Sequence, residues 1–258
     1  MNPEIRVLDD GKELAREAAD LFVWLGEQAL REGRAFRVTL SGGSTPRVLH
    51  AALAGPPFAN RLEWSRLEFY FGDERCVPPD HPESNYGMAN ETLFRPLKIA
   101  EKQIFRMGGE TPDHDQAARQ YEEMVRARVC PAGSPWPVFD LILLGLGEDA
   151  HTASLFPGTA ALDESRRLVV ANEAPQGIKN RITLTAPAIN HARTIVFLVS
   201  GAGKAKAVAG VLHDRSVDSR RAPAKLIRPV AGRIIWFLDR AAASALPVSQ
   251  QDLTYDEE

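Results

Sequence analysis

Cysteine is scarce: Cys76 and Cys130 are the only two in 258 residues, and neither has a His or Cys partner at metal-binding spacing. That excludes a disulfide framework and a zinc knuckle, and it fits a reducing compartment. No apolar run approaches the 18 or so residues that span a bilayer, and the first twenty residues carry acids where a signal peptide has its apolar stretch. A cytoplasmic protein with no membrane partner is therefore expected. Positive charge is not in excess either: 31 Lys and Arg face 34 Asp and Glu, for a formal net charge of -3. Such a chain has no general field to attract nucleic acid, so an anionic ligand must be held by local cations, and a small ligand is favoured over a polymer. Neither GxGxxG nor a Walker loop occurs, which leaves dinucleotide and ATP binding unsupported, and the absence of GxSxG argues against a serine-hydrolase elbow at Ser154.

What the chain does contain is alternation. Leu14, Ala18, Leu21, Phe22, Leu25 and Ala29 recur at helical spacing after a short strand near Ile5 to Leu8. Compact strand-like runs follow at FRVTLS, LEFYF, FDLILLGLG, RLVVAN, RTIVFLVS and RIIWFLD, with helical spacing between them in DQAARQYEEMVRARV and KAKAVAGVL. Several strands are apolar on both faces, as in a parallel sheet covered on each side, so the expected class is a doubly wound, mostly parallel α/β fold in a single domain over residues 1–258. AGPP and CPAGSPWPV read as surface connections, and the acidic end QQDLTYDEE as a frayed tail.

Ligands of open parallel sheets sit at the carboxyl ends of the strands, which directs attention to four loops. In TLSGGSTPRVLH a strand runs into Ser41, Gly42, Gly43, Ser44 and Thr45, and Pro46 suits the first turn of a helix. Glycines admit an anion to the backbone, the hydroxyls donate, and the helix start adds free N–H groups; the same pattern also serves as an ordinary helix cap. After LEFYF, Asp73, Glu74 and Arg75 enter what reads as a long polar loop before a helix near Asn85. Arg75 suits a phosphate, and Asp73 suits orientation or deprotonation. In LGLGEDAHTASLFPG, Asp149 and His151 stand two apart, which in an extended loop turns both toward one cleft. That pattern serves a histidine base, and it is also two-thirds of a metal site, although no third ligand stands at a telling spacing. In FLVSGAGKAKAV a second glycine loop carries Lys204, and Arg181 opens a strand in GIKNRITLT. Two phosphate-capable loops and three cations around one Asp/His pair suit a sugar phosphate.

The ordered set SGGSTP, GDER followed by DHPESNYGMANETL, LGLGEDAHTASLFPG, RITLTAPAIN and SGAGKAKA spans most of the chain and resembles the 6-phosphogluconolactonases. The resemblance implies a Rossmann-like fold shared with glucosamine-6-phosphate deaminases and related to ribose-5-phosphate isomerases. It also implies hydrolysis of 6-phospho-D-glucono-1,5-lactone in the oxidative pentose phosphate pathway, without cofactor or metal, by a monomer or weak homo-oligomer whose only partner is the phosphorylated lactone. Carried onto this chain, residues Ser41 to Thr45 contact substrate, Arg75, Arg181 and Lys204 bind chiefly the 6-phosphate, His151 activates water, Asp149 orients the imidazole or the water, and Asp73 binds ring hydroxyls or assists. Two positions depart from the family pattern: Ala150 stands where Gly is expected, restricting the loop to angles a Cβ tolerates, and Cys76 where Trp is common, as a buried, inert thiol. The alternatives are a deaminase, which in that family has an Asn-Glu-Pro element after the histidine where this chain has no carboxylate until Asp163, and a sugar-phosphate sensor without turnover.

Overall fold

The computed structural model describes residues 3–247, so the acidic end read as a frayed tail lies outside the described residues. The chain runs β1 (Glu4–Leu8), α1 (Gly11–Arg31), β2 (Phe36–Leu40), α2 (Ser44–Leu53), β3 (Leu67–Phe71), β4 (Asp73–Arg75), α3 (Asn85–Ala89) and α4 (His114–Val129). It continues through β5 (Leu141–Leu144), β6 (Val169–Glu173), β7 (Asn180–Leu184), α5 (Ala186–Asn190), β8 (Thr194–Val199), α6 (Ala205–Leu212), β9 (Arg233–Asp239) and α7 (Arg240–Ala243). Each long helix has a physical start. Asp10 accepts from the amides of Lys12 and Glu13 ahead of α1, and Asp113 from that of Gln116 ahead of α4.

Six strands form one sheet in the order β1-β9-β8-β5-β2-β3, every pair parallel. From β2 the chain steps outward to β3, whereas β5, β8 and β9 build in the opposite direction, so the topology reverses between β2 and β5. At such a reversal the loops leaving the two strands diverge and open a crevice, the expected place for a ligand. The doubly wound α/β class predicted from the sequence is observed. β5 and β8 are buried along their whole length, and Trp236 of β9 stacks on Phe197 of β8 at 3.9 Å.

Two expectations change. The segment from Asp73 to Arg75 is not loop: Gly72 donates to Leu40 O and accepts from Leu184 N, and the chain then enters a separate antiparallel sheet, β4-β7-β6. RLVVAN and RITLT therefore belong to this small sheet instead of the parallel one. α4 holds it in place, because the buried Glu122 accepts from Arg167 Nε at 2.6 Å and from the amides of Leu168 and Val169. Tyr121 OH meets both Phe71 N and Phe71 O, matching the backbone groups where the chain leaves the parallel sheet.

A stability prediction follows from α2. His50 is fully buried, with Nδ1 against Thr92 Oγ1, whose own hydroxyl is committed to Met88 O, and with Nε2 unpartnered among the described residues. Burial, reinforced by Arg47, pulls its pKa down to about 3. The unfolded chain takes up this proton near pH 6.5 and the folded chain near pH 3, so His50 lowers stability progressively as pH falls through that window. Between pH 7 and pH 5, wild type should lose roughly 2 kcal/mol more in urea unfolding than His50→Leu. Equal losses would show that His50 takes up its proton in the folded chain at the same pH as in the unfolded one.

Candidate active site

The loops after β2 and β5 face each other across the crevice, and a cleft of about 550 Å³ opens between them. Its walls carry Ser41, Gly42, Gly43, Asp73, Arg75, Asn85, Asp149, His151, Arg181 and Lys204, together with Glu148, Phe156 and Gln176. A larger hollow of about 770 Å³ lies at the amino end of β9 beneath residues 211–229 and contains none of these groups. Ser44 and Thr45 are not on the cleft wall. They form the first turn of α2, whose cap is Gly43 at φ 112°, so the wall of this loop ends at Gly43.

Beyond β5, the chain does not run extended. Gly147 N donates to His151 O, Ala150 N to Gly147 O and Thr152 Oγ1 to Gly145 O, curling the segment into a closed turn. Asp149 and His151 meet through this turn, with Nδ1 and Oδ1 2.5 Å apart, and not through the alternation of an extended strand. Ala150 sits at φ 62°, in the left-handed region, so its Cβ has not kept the loop out of that conformation and the strain is carried in place. Gly147 is required sterically: a Cβ there would fall 2.0 Å from His151 Nδ1. Burial works to raise the Asp149 pKa, but the hydrogen bond and charge of His151 outweigh it and hold the carboxyl below its ordinary value. A carboxylate only accepts, so Nδ1 carries the proton and the Nε2 lone pair is left free.

The antiparallel sheet delivers the cations. Arg75 and Arg181 are direct cross-strand neighbours on β4 and β7. Neither has a carboxylate at ion-pair distance among the described residues. Arg75 Nη1 donates to Glu83 O and Arg181 Nε to Ile178 O, while Arg75 Nε is buried without a partner among the described residues. Burial depresses the Arg181 pKa, Asp73 opposes that and Arg75 adds to it. Like charges placed opposite each other destabilise a sheet unless something anionic lies between them. Arg181 also stands over the Phe156 ring at 5.7 Å, and the His151 imidazole lies 4.6 Å from the same ring. Lys204 enters from the short turn Ala202–Lys204, whose leading glycine, Gly201, is held by Asp239 at the end of β9.

Of the acids, Asp73 is 6% exposed, with Ser154 Oγ donating to Oδ2 at 2.6 Å and Asn85 Nδ2 to Oδ1 at 3.2 Å. Ser154 is itself fully buried, in keeping with the absence of a nucleophile elbow. Glu74 turns inward and accepts from Ser84 Oγ and from the amides of Arg75, Asn85 and Tyr86, tying the start of α3 to β4; burial raises its pKa against those hydrogen bonds. Cys76 is partly buried and not fully so, and burial pushes its thiol up to about 11. Sequence reasoning missed Asn85, Glu148, Phe156 and Gln176. Asn85 and Phe156 lie within quoted motifs but read as a helix start and a packing residue, and nothing in the sequence around Gln176 points to the cleft.

The model of glucosamine-6-phosphate isomerases/6-phosphogluconolactonase matches residues 9–236. The chain belongs to this family. Among its relatives, the 6-phosphogluconolactonase of Nostoc sp. is 37% identical over 250 residues, covering 96% of this chain and all of that protein. The 6-phosphogluconolactonase of Homo sapiens is 38% identical over 250 residues, covering 95% of this chain and 94% of the human one. The solved structure of 6-phosphogluconolactonase from Trypanosoma brucei superposes with a TM-score of 0.85 at 30% identity, covering 95% of this chain and 99% of that one. Family membership agrees with the motif order read from the sequence, and the family's own description leaves two chemistries to separate, lactone hydrolysis and amino-sugar isomerisation.

Proposed function

We propose that this chain hydrolyses 6-phospho-D-glucono-1,5-lactone to 6-phosphogluconate, with His151 as general base. The observation that carries the reading is the Asp149–His151 pair, set on the same cleft as two guanidiniums that have no carboxylate at ion-pair distance among the described residues. The phosphate lies between Arg75 and Arg181 with Lys204 beside it, and this distant anchor holds the lactone carbonyl at the closed turn after β5. His151 Nε2 removes a proton from water as its oxygen bonds to C1, giving a tetrahedral intermediate. The C1–ring oxygen bond then breaks, and the imidazolium returns the proton to the departing ring oxygen, so water is consumed and one acid is formed. Asp149 keeps the imidazole in the tautomer with a free Nε2 and stabilises its charged form. Amides of the loop at Gly42 and Gly43 supply donors for the oxyanion.

Against amino-sugar isomerisation stands the fate of the first acid after His151. Asp163 is exposed and paired with Arg220 at 2.9 and 3.0 Å, and it is not on the cleft wall. A sensor without turnover has no use for a histidine held in the basic tautomer. The test is the disappearance of freshly generated lactone near pH 6.5 against buffer, with ammonia release from glucosamine 6-phosphate run in parallel. Faster loss of lactone without ammonia is expected. Ammonia release, or binding with no turnover, would replace the reading by the corresponding alternative.

A further inference from the structure

Asn85 opens α3 and is 2% exposed, yet its side chain lines the cleft. Its orientation is dictated by chemistry. Nδ2 faces two acceptors, Asp73 O at 2.8 Å and Asp73 Oδ1 at 3.2 Å, and turning the amide over would set its oxygen against both. The NH2 therefore belongs to Asp73, and Oδ1 is left facing Gly42, so close that a Cβ on Gly42 would fall 1.8 Å from it. That oxygen has no hydrogen-bond partner among the described residues, and neither has the nearby Ser41 Oγ, a hydroxyl 5% exposed on the same wall. Buried carbonyls without donors are rare and costly, and one held this rigidly beside a glycine in a ligand cleft is placed to meet a donor from the ligand.

We propose that Asn85 is a substrate-binding residue whose Oδ1 accepts a hydrogen bond from a ring hydroxyl of the bound sugar lactone, and that Asp73 is a positioning residue that locks the amide. The assignment rests on the lactonase reading and reassigns Asp73, which the sequence suggested as a direct contact for hydroxyls. Each carboxylate oxygen of Asp73 accepts one hydrogen bond, from Ser154 and from Asn85 respectively, and this pairing at 6% exposure fixes the amide. Gly42 is required because the amide needs the space of its missing side chain.

The experiment is a set of kcat/KM values for the phosphorylated lactone and its 2-, 3- and 4-deoxy analogues, measured on wild type, Asn85→Leu, Asp73→Asn and Gly42→Ala. In wild type, one analogue should fall by about tenfold or more below its parent, the usual effect of leaving a buried acceptor unmatched. The same analogue should show no such penalty in Asn85→Leu, because the acceptor is gone. Asp73→Asn and Gly42→Ala should lose the same discrimination, since the amide is released in one and pushed aside in the other. A residue that merely supports the fold would lower all four substrates together. Equal penalties in wild type and in the variants, or no discrimination by wild type among hydrolysed analogues, would overturn the proposal. No hydrolysis of the parent lactone by wild type would instead sink the lactonase reading, and the two failures are distinct. Should Asn85→Leu not fold, Gly42→Ala carries the comparison, because it displaces the amide without removing its donors and acceptor from the protein.

Discussion

His151→Ala is expected to lower turnover of 6-phosphogluconolactone by about 100-fold or more while changing KM only a few-fold, the usual size of a general-base effect. The expectation comes from the division of labour in the cleft. The imidazole meets Asp149 through Nδ1 and lies tilted at 46° against the Phe156 ring, which Arg181 also covers, while Arg75 is held separately by Glu83 O. Removing it therefore takes away the base and leaves the anchor. The side chain is 32% exposed, so truncation opens little buried space and the fold should persist. Spontaneous hydrolysis of the lactone sets the floor of the assay, which is why initial rates near pH 6.5 are compared with buffer. A near-native rate in a folded His151→Ala protein would remove the histidine from the role.

The second large effect is expected at Arg181. Truncating one member of a buried, charge-assisted contact commonly costs 2–5 kcal/mol, so Arg181→Met should lower kcat/KM by roughly 30- to several-thousand-fold, mainly through KM. The same substitution should leave stability unchanged or raise it by up to about 1 kcal/mol, because in the free protein Arg75 and Arg181 oppose each other directly across β4 and β7. Opposite signs for activity and stability set this site apart from a structural arginine, whose loss lowers both. Thermal melting with added inorganic phosphate gives a second readout: phosphate should raise the midpoint of wild type by mass action and raise that of Arg181→Met much less. Equal shifts in the two proteins would place the anion elsewhere.

Local chemistry made much of this protein legible in its sequence. The helix over Gly11–Arg31, the uninterrupted apolar strands β5 and β8, and the parallel α/β class follow from periodicity, which sequence carries directly. So does the placing of candidate residues just after strands. The glycines of SGGSTP and LGLGEDAHT announced loops that approach something closely, and those loops prove to be the two that leave β2 and β5 where the sheet order reverses.

Partnership between distant segments was not legible. Asp73, Glu74 and Arg75 read as three charges in a loop because nothing local reveals that β7, a hundred residues later, pairs with them; only that pairing sets two arginines side by side. Asn85 read as a helix start because its second role depends on Asp73 holding one end of the amide while Gly42 leaves room at the other. Ala150 read as a limit on the loop, yet its turn, closed by hydrogen bonds among Gly147, Ala150 and His151, imposes a left-handed φ on it. What the sequence determined by itself was which residue types stand at the ends of which strands, since backbone preference and burial act over a few neighbours. Which of those ends face one another, and which polar atoms are left unmatched there, was decided only by the tertiary structure, because hydrogen bonds and charge pairs depend on distance in space and not along the chain.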